Sequence, residues 1–173
     1  PDTLLLTNLL PLNTLGLDDL IYTGWLEERA APLRVIGPAG TARLVAGLLE
    51  GHREGGEALA SALALPAEGG RVEVVEIGDG WSSETDDLRI SAAALPGGPL
   101  PALAYRFEWR GRSLVVGGVG WGREQLVGFA HGTDMLVHEA VLIPERKDLE
   151  DAGVVADPAR LEREAALHAS LLD

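Results

Sequence analysis

The sequence predicts an α/β fold, because strand-like and helix-like segments alternate through its first half and short strand-like segments follow in its middle. Parallel pairing is expected where a strand, a helix and a second strand follow one another closely. A hydrophobic fraction of 46% over 173 residues supplies enough apolar surface for the core of a globular domain. We therefore expect a single domain over residues 1–173.

The first half of the chain predicts two strands and two helices. The segments DTLLLT and APLRVIGPAG are short and apolar and predict strands, the second of which stops at Gly37 and Pro38. Between them, LGLDDLIYTGWLEERA has apolar residues at helical spacing, and Asn13 or Thr14 is its predicted N-cap. Thr41 is expected to begin a long helix through ARLVAGLLEGH.

The second half is richer in predicted strands. The segments RVEVVEI, LRISAAAL, LAYRFEW and SLVVGG predict strands, and RGR at 110–112 predicts a hairpin between the last two. REQLVGFAHG predicts a helix, DMLVHEAVL a buried strand, and PARLEREAALHASLLD a closing helix that begins near Asp157 and Pro158. His52 and His131 are expected at exposed helix ends, without a partner.

The charge balance excludes several classes of function. The chain has 14 Lys+Arg against 27 Asp+Glu, a formal net charge of -13, which repels phosphate backbones and argues against a nucleic-acid partner. It has no cysteine, which excludes disulfides, thiolate metal ligands and cysteine nucleophiles. No apolar run is long enough to span a bilayer, so no membrane partner is expected. The cellular location stays open, because the start at Pro1 is uninformative.

A turn that follows the first predicted strand carries the clearest motif. The stretch from Thr7 to Gly16, followed by LDDLIYTGWLEERAAPLRVIGPAGT, resembles the metallo-β-lactamase superfamily and, within it, the ribonuclease Z and arylsulfatase-like branch. That family carries Thr-His-x-His-x-Asp-His-x-x-Gly here, because two metal ions need imidazole and carboxylate ligands from one tight turn. The framework matches, but the ligand positions hold Asn8, Leu10, Leu12 and Asn13.

A second segment, PGGPLPALAYRFEWRGRSLVVGGVG, resembles the family's His-Gly-Pro segment and its Ser-Gly-Asp-Thr turn. The histidine position is Gly97 and the bridging aspartate position is Val119. Leucine, glycine and valine side chains carry no donor atom, and an asparagine oxygen is a weak, neutral ligand for zinc. We therefore expect degenerate metal-binding motifs and no metal cofactor.

The resemblance runs from Leu4 to Ser170 and implies an αββα sandwich of the metallo-β-lactamase type. It also implies a fold truncated at both ends, with the first strands and the last strand and helix outside this chain. VHEAV resembles the His-Glu-Ala-Thr motif of the ribonuclease Z branch, with His138 and Glu139 matching. LHAS around His168 resembles the histidine motif that pairs with that glutamate. These three residues are a candidate vestigial acid relay.

The turn TNLLPLN itself has two interpretations. In the first, its asparagines satisfy backbone groups and cap the helix, while Leu10 and Leu12 pack where the family holds metal ions. In the second, the turn lines a new binding pocket.

The helix that follows the turn is apolar on more than one side, which suits either the chain's own core or a subunit interface. In the branch that the chain resembles, this helix commonly forms the dimer contact. The candidate interface residues are Leu17, Ile21, Tyr22, Trp25 and Leu26.

Two functions follow from these observations. The first is a metal-free pseudoenzyme that acts as a scaffold or non-catalytic subunit, as a homodimer or with an active relative. The alternative is a metal-dependent hydrolase of a small ester, lactone or phosphodiester. It would use Glu139 and His168 with zinc in a rebuilt or partner-supplied site.

Overall fold

The computed structural model describes residues 2–140 together with Asp157, Ala159, Glu162 and Arg163. The chain forms two compact units, Pro1–Gly78 and Asp79–Asp173. The single domain expected from the sequence stays a prediction. Within the described residues, no helix is both long and apolar enough to cross a membrane.

The first unit is built on a parallel sheet in the order β1-β2-β3. The strands are β1, Thr3–Leu5; β2, Leu33–Gly37; and β3, Val72–Glu76. Leu4 lies opposite Val35, and Val35 lies opposite Val74, so apolar side chains line up across the sheet. The parallel pairing predicted from the strand–helix–strand order is confirmed.

Residues 2–78 also form four helices and a 3-10 turn. These are α1, Pro11–Thr14; α2, Leu17–Leu26; α3, Thr41–Gly51; α4, Arg53–Leu63; and the 3-10 turn, Ala67–Gly70. The core that they share with the sheet contains Leu6, Leu17, Ile21, Leu33, Val35 and Val45.

The predicted N-cap of α2 is wrong, because Gly16 precedes that helix and no side chain caps it. Thr14 belongs to α1, and its hydroxyl donates to the Leu10 carbonyl at 3.2 Å.

The beginning of α3 is fixed by a carboxylate from the end of β3. Glu76 Oε1 accepts hydrogen bonds from the backbone N–H groups of Gly40 and Ala42, each at 2.9 Å. The first N–H groups of a helix have no partner inside the helix, and its N-terminus favours negative charge. Glu76 therefore satisfies two of these groups and joins α3 to the sheet. The predicted start at Thr41 is confirmed.

The second unit is built on a five-stranded sheet in the order β4-β5-β6-β7-β8. The strands are β4, Ser82–Thr85; β5, Leu88–Ala94; β6, Leu103–Trp109; β7, Arg112–Gly117; and β8, Met135–His138. β4 to β7 pair antiparallel, whereas β8 pairs parallel with β7. The helix α5, Arg123–Ala130, connects β7 to β8. The sequence pattern did not predict β4.

The turn between β6 and β7 is the hairpin predicted from RGR. Trp109 pairs with Arg112, which leaves Arg110 and Gly111 as a two-residue loop. Their φ angles are 48° and 75°, and two positive values in succession match the twist of the flanking strands.

β8 is more exposed than the sequence predicts. Met135, Leu136 and Val137 are 60%, 47% and 49% exposed, so the prediction of a buried strand is wrong. Among the described strands, β8 lies at the end of the sheet and pairs with β7 alone. An apolar segment signals burial only where further elements cover both sides of the strand.

Asp134 fastens the start of β8 to β7. Its Oδ2 accepts the Ser113 backbone N–H at 2.7 Å and the Ser113 hydroxyl at 3.0 Å. Arg112 Nη1 donates to Asp134 Oδ1 at 3.2 Å. These bonds, the backbone N–H of Ser113 first among them, hold the pKa of Asp134 below its ordinary value of 3.8.

The lowered pKa of Asp134 predicts a dependence of stability on pH. A carboxyl group whose pKa is lower in the folded chain stabilises it above the unfolded pKa, and this contribution is lost as the pH falls through the folded pKa. We expect Asp134→Asn to reduce the free energy of unfolding at about pH 6 and its difference from the wild type to shrink below about pH 4. Urea unfolding at both pH values measures this. A difference that did not change with pH would contradict it.

The end of α2 is tied to the 3-10 turn by two side chains. Trp25 Nε1 donates to the Pro66 carbonyl at 2.7 Å, and Arg29 Nη2 donates to the carbonyls of Gly69 and Ile21 at 2.9 and 3.0 Å. Burial lowers the pKa of Arg29. A Cβ atom added at Gly69 would overlap the Arg29 carbonyl oxygen, so only glycine fits there.

Two glycine substitutions test this close approach. Gly69→Ala should reduce the free energy of unfolding by about 2 kcal/mol or more, because the backbone must shift to admit the methyl group. Gly47, in the middle of α3, is exposed and has nothing within 4 Å of an added Cβ. Gly47→Ala should therefore stabilise by about 0.5–1 kcal/mol. Chemical denaturation of both variants measures the contrast, and equal effects would refute the packing argument.

Candidate functional site

The turn after β1 carries the first four motif positions, and Asn8 lies at its centre. Asn8 Oδ1 accepts the Leu10 backbone N–H and an Asn13 Nδ2–H, both at 3.0 Å. Asn8 Nδ2 donates to Thr7 Oγ1 at 3.1 Å, and Asn8 is only 1% exposed. A carbonyl oxygen has two lone pairs, so both acceptor sites of this amide are used inside the turn. The predicted role of an asparagine in satisfying backbone groups is confirmed for Asn8.

The two leucines of the motif do not fill a common pocket. Leu12 lies in α1 and is 85% exposed, whereas Thr14 of the same helix is buried. Leu10 precedes α1 and is half-buried. The expectation that Leu12 packs where the family holds metal ions is therefore wrong. The short helix α1, which the sequence pattern did not predict, turns position 12 outwards.

The other two motif positions lie in the second unit. Gly97 has a φ of 99° and open space where a Cβ would stand. Val119 is 1% exposed and belongs to the core. Trp121 is also buried, and a Cβ added at Gly98 would overlap its indole ring. The segment that carries the aspartate position is therefore packed as apolar core.

These side chains do not fit a metal ion. Leu10, Leu12, Gly97 and Val119 offer no side-chain donor atom, and the Asn8 oxygen already accepts two hydrogen bonds. The buried Trp121 Nε1–H has no partner in the described part of the chain, but an N–H group cannot bind a cation. The described residues also contain no group of three or more His, Cys, Asp or Glu side chains placed to hold an ion.

The candidate relay is only partly described. His138, at the end of β8, lies with Nδ1 3.1 Å from the Gly117 carbonyl oxygen. Because a carbonyl can only accept, Nδ1 carries the proton of this bond. A Cβ at Gly117 would lie 2.8 Å from the same nitrogen, so glycine leaves room for the ring. Glu139 follows on the chain and is half-buried. His168 lies outside the described residues, and the relay stays a prediction.

The candidate interface divides into core and surface residues. Leu17 and Ile21 are 4% and 0% exposed and pack in the core of their own unit. The prediction that these two form a subunit contact is therefore wrong, because α2 directs them into the sheet. Tyr22 and Trp25 are half-buried and Leu26 is exposed, and their predicted contact with a second subunit stays a prediction.

His52 has partners that the sequence could not reveal. Its Nε2 lies 3.3 Å from Asp18 Oδ2, and its ring meets Tyr22 edge-on with 5.3 Å between centroids. The pKa of Asp18 is lowered by the backbone N–H of Asp19 and then by His52. These residues line a cavity of about 340 Å³ together with Gly55, Gly56 and Leu59. The expectation of an isolated His52 is wrong, because the fold brings residues 34 positions apart into contact.

Comparison with known proteins points to one group of relatives. The ribonuclease Z of Mycobacterium marinum is 34% identical over 150 residues, which cover 84% of this chain and 52% of the relative. The ribonuclease Z of Mycobacterium sp. strain KMS is 31% identical over 172 residues, or 97% of this chain and 58% of the relative. The chain thus spans between half and three fifths of these relatives' length. No family model matches it.

Solved structures show the same fold. The short form of human tRNase Z superposes with a TM-score of 0.63 at 15% identity and covers 99% of this chain and 73% of that one. The metallo-β-lactamase fold protein YhfI from Bacillus subtilis superposes with a TM-score of 0.54 at 11% identity, over 82% of this chain and 51% of that one. The predicted fold class is confirmed.

Val119 is buried and Leu12 is exposed, so we expect an aspartate to affect stability differently at the two positions. Val119→Asp should reduce the free energy of unfolding by about 2–4 kcal/mol, because it buries a carboxylate among apolar side chains. Leu12→Asp should change it by less than about 0.5 kcal/mol, because that side chain points to solvent. Chemical denaturation at neutral pH compares the two. A neutral Val119→Asp would show that the segment can open to water or bind a cation.

Proposed function

Because the chain belongs to the metallo-β-lactamase superfamily, in its ribonuclease Z branch, we propose that it is a metal-free, non-catalytic member that acts by contact with a protein subunit. The observation that carries the proposal is the burial of Val119, which is 1% exposed at the position of the family's bridging aspartate. A residue that bridges two metal ions must present at least one oxygen donor to them, whereas Val119 contributes only apolar surface to a core.

The first half of the motif supports the same proposal. Its aspartate position is the exposed Leu12, and its first histidine position is Asn8, whose amide oxygen is engaged inside the turn. Without two metal ions there is no activated water for the candidate relay of His138, Glu139 and His168 to work with. General acid chemistry alone does not supply a nucleophile.

The names of the relatives suggest the alternative activity. Proteins called ribonuclease Z match this chain. The alternative, a hydrolase of a small ester, lactone or phosphodiester, would require zinc in a rebuilt or partner-supplied site. The net charge of -13 opposes the approach of RNA. The metal-free scaffold therefore explains more of the sequence and the buried positions.

The proposed partner is a second copy or a catalytically active relative. Leu17 and Ile21 belong to the core, so the side chains of α2 that remain for such a contact are Tyr22, Trp25 and Leu26. Loss of the metal ligands does not by itself disturb the helices and sheets that would form this surface. A folded but inactive subunit can therefore keep its contact.

Metal content and mass in solution test the proposal together. The chain, purified without a histidine tag, should contain far less than one equivalent of zinc, iron or manganese by elemental mass spectrometry. Light scattering should give twice the 18.3 kDa of one chain, or the mass of a complex with an active relative. Leu26→Lys should weaken the association, whereas Val127→Lys, at an exposed position of α5, serves as the matched control.

The opposite result is equally specific. One or two equivalents of metal would overturn the proposal, especially with hydrolysis of bis(p-nitrophenyl) phosphate that a chelator abolishes. Loss of that hydrolysis in His168→Ala would then favour the alternative. A metal-free chain that stays monomeric and binds no relative would contradict action by contact.

A further inference from the structure

We infer that the Asn8 carboxamide is an internal cross-link that holds the turn after β1 in one conformation without a bound ion. This inference goes beyond the proposed function, because it concerns what fixes the turn and not which partner the chain meets. It starts from a disagreement between the family motif and this chain. The residue at the first histidine position is buried and polar, yet it is directed at the turn's own backbone.

The hydrogen bonds of Asn8 close the turn from both sides. Through Oδ1 it fixes the Leu10 N–H on one side and the Asn13 amide on the other, both at 3.0 Å. The Leu10 carbonyl in turn accepts the Asn13 backbone N–H at 2.9 Å and the Thr14 hydroxyl at 3.2 Å. Both peptide groups of Leu10 are therefore satisfied, and α1 is joined to the end of β1 through one side chain.

No charge within the turn can substitute for this arrangement. The residues from Thr3 to Leu17 include no Asp, Glu, Lys or Arg, although the chain as a whole is rich in charge. A backbone N–H that is buried without a partner destabilises the fold, so the turn depends on a neutral acceptor. Asn8 is that acceptor.

The same geometry opposes a cation. Two N–H groups point at Asn8 Oδ1, and their partial positive charges face the place where an ion would have to approach. Binding would require both donors to leave and would expose the Leu10 N–H. The cross-link and a metal ligand are therefore mutually exclusive uses of Asn8.

Thermal unfolding of amide variants tests the cross-link. Asn8→Ala should lower Tm by about 5–10 °C, and Asn13→Ala, which removes one bond from an exposed residue, by about 2–4 °C. The double variant should melt close to Asn8→Ala, because Asn13 acts through Asn8. Gln125→Ala, which removes an exposed amide from α5, is the matched control and should leave Tm unchanged. Additive losses, or an Asn13→Ala as neutral as the control, would overturn the inference.

Amide exchange gives a readout that global stability does not. The Leu10 N–H should be protected in the wild type and in Asn13→Ala and should exchange at least tenfold faster in Asn8→Ala, while the core amide of Val35 keeps its protection. A Leu10 N–H that exchanges freely in the wild type would overturn the inference. This experiment remains decisive even if the chain is found to be catalytic or monomeric.

Zinc chloride tests whether a metal cation can bind at Asn8. Zinc in excess should leave the Tm of the wild type unchanged, and Asn8→Ala should respond in the same way. A rise in the wild-type Tm that is lost in Asn8→Ala would mean that Asn8 binds the ion, and the cross-link would be refuted.

Discussion

A polar group that leaves water must find a partner inside the protein, and this requirement decides what each motif position can do. In the turn after β1 the requirement falls on the backbone N–H of Leu10, the residue that precedes α1. The Asn8 amide meets it at 3.0 Å and is itself buried as a result. This contact lies directly before the short helix α1, in which Leu12 is exposed.

The second unit meets the same requirement in a different way. Around its aspartate position, residues 117–122 carry no charged side chain, and Val119 and the indole ring of Trp121 are buried there. Gly98 gives the ring its space, just as Gly117 gives space to His138. At the edge of this unit polar groups are paired, and Asp134 accepts two hydrogen bonds from Ser113. The two units thus replace a charged motif by an amide cross-link in one case and by apolar packing in the other.

Much of the fold could be predicted from the sequence, because the spacing of hydrophobic residues and the residue types in turns act locally. The RGR hairpin and the parallel pairing of β1 with β2 required only neighbouring residues and the chain order. Two of the failures occurred where distant residues decide. The exposure of β8 depends on what covers its edge, and the partner of His52 is an aspartate 34 positions away.

The sequence predicted which motif positions lack a metal-binding side chain, but it did not predict where those side chains lie in the fold. Residue types alone establish that Leu10 and Val119 cannot bind an ion, because their side chains have no donor atoms. They do not establish which position is buried, and Leu12 and Val119 prove to be opposites. The four residues Pro11–Thr14 form one helical turn, and this turn directs Leu12 towards solvent. No hydrophobic period can reveal this in so short a segment.

The distribution of buried and exposed positions bears on how the motif came to its present state. Substitutions that merely removed ligands would leave a polar turn with unmet backbone groups, and the fold would be weaker for it. In this chain the amide at position 8 satisfies the turn, and the valine at position 119 completes a core. Asn8 and Val119 therefore each have a structural role at a position where the motif of the resembled family carries a metal ligand.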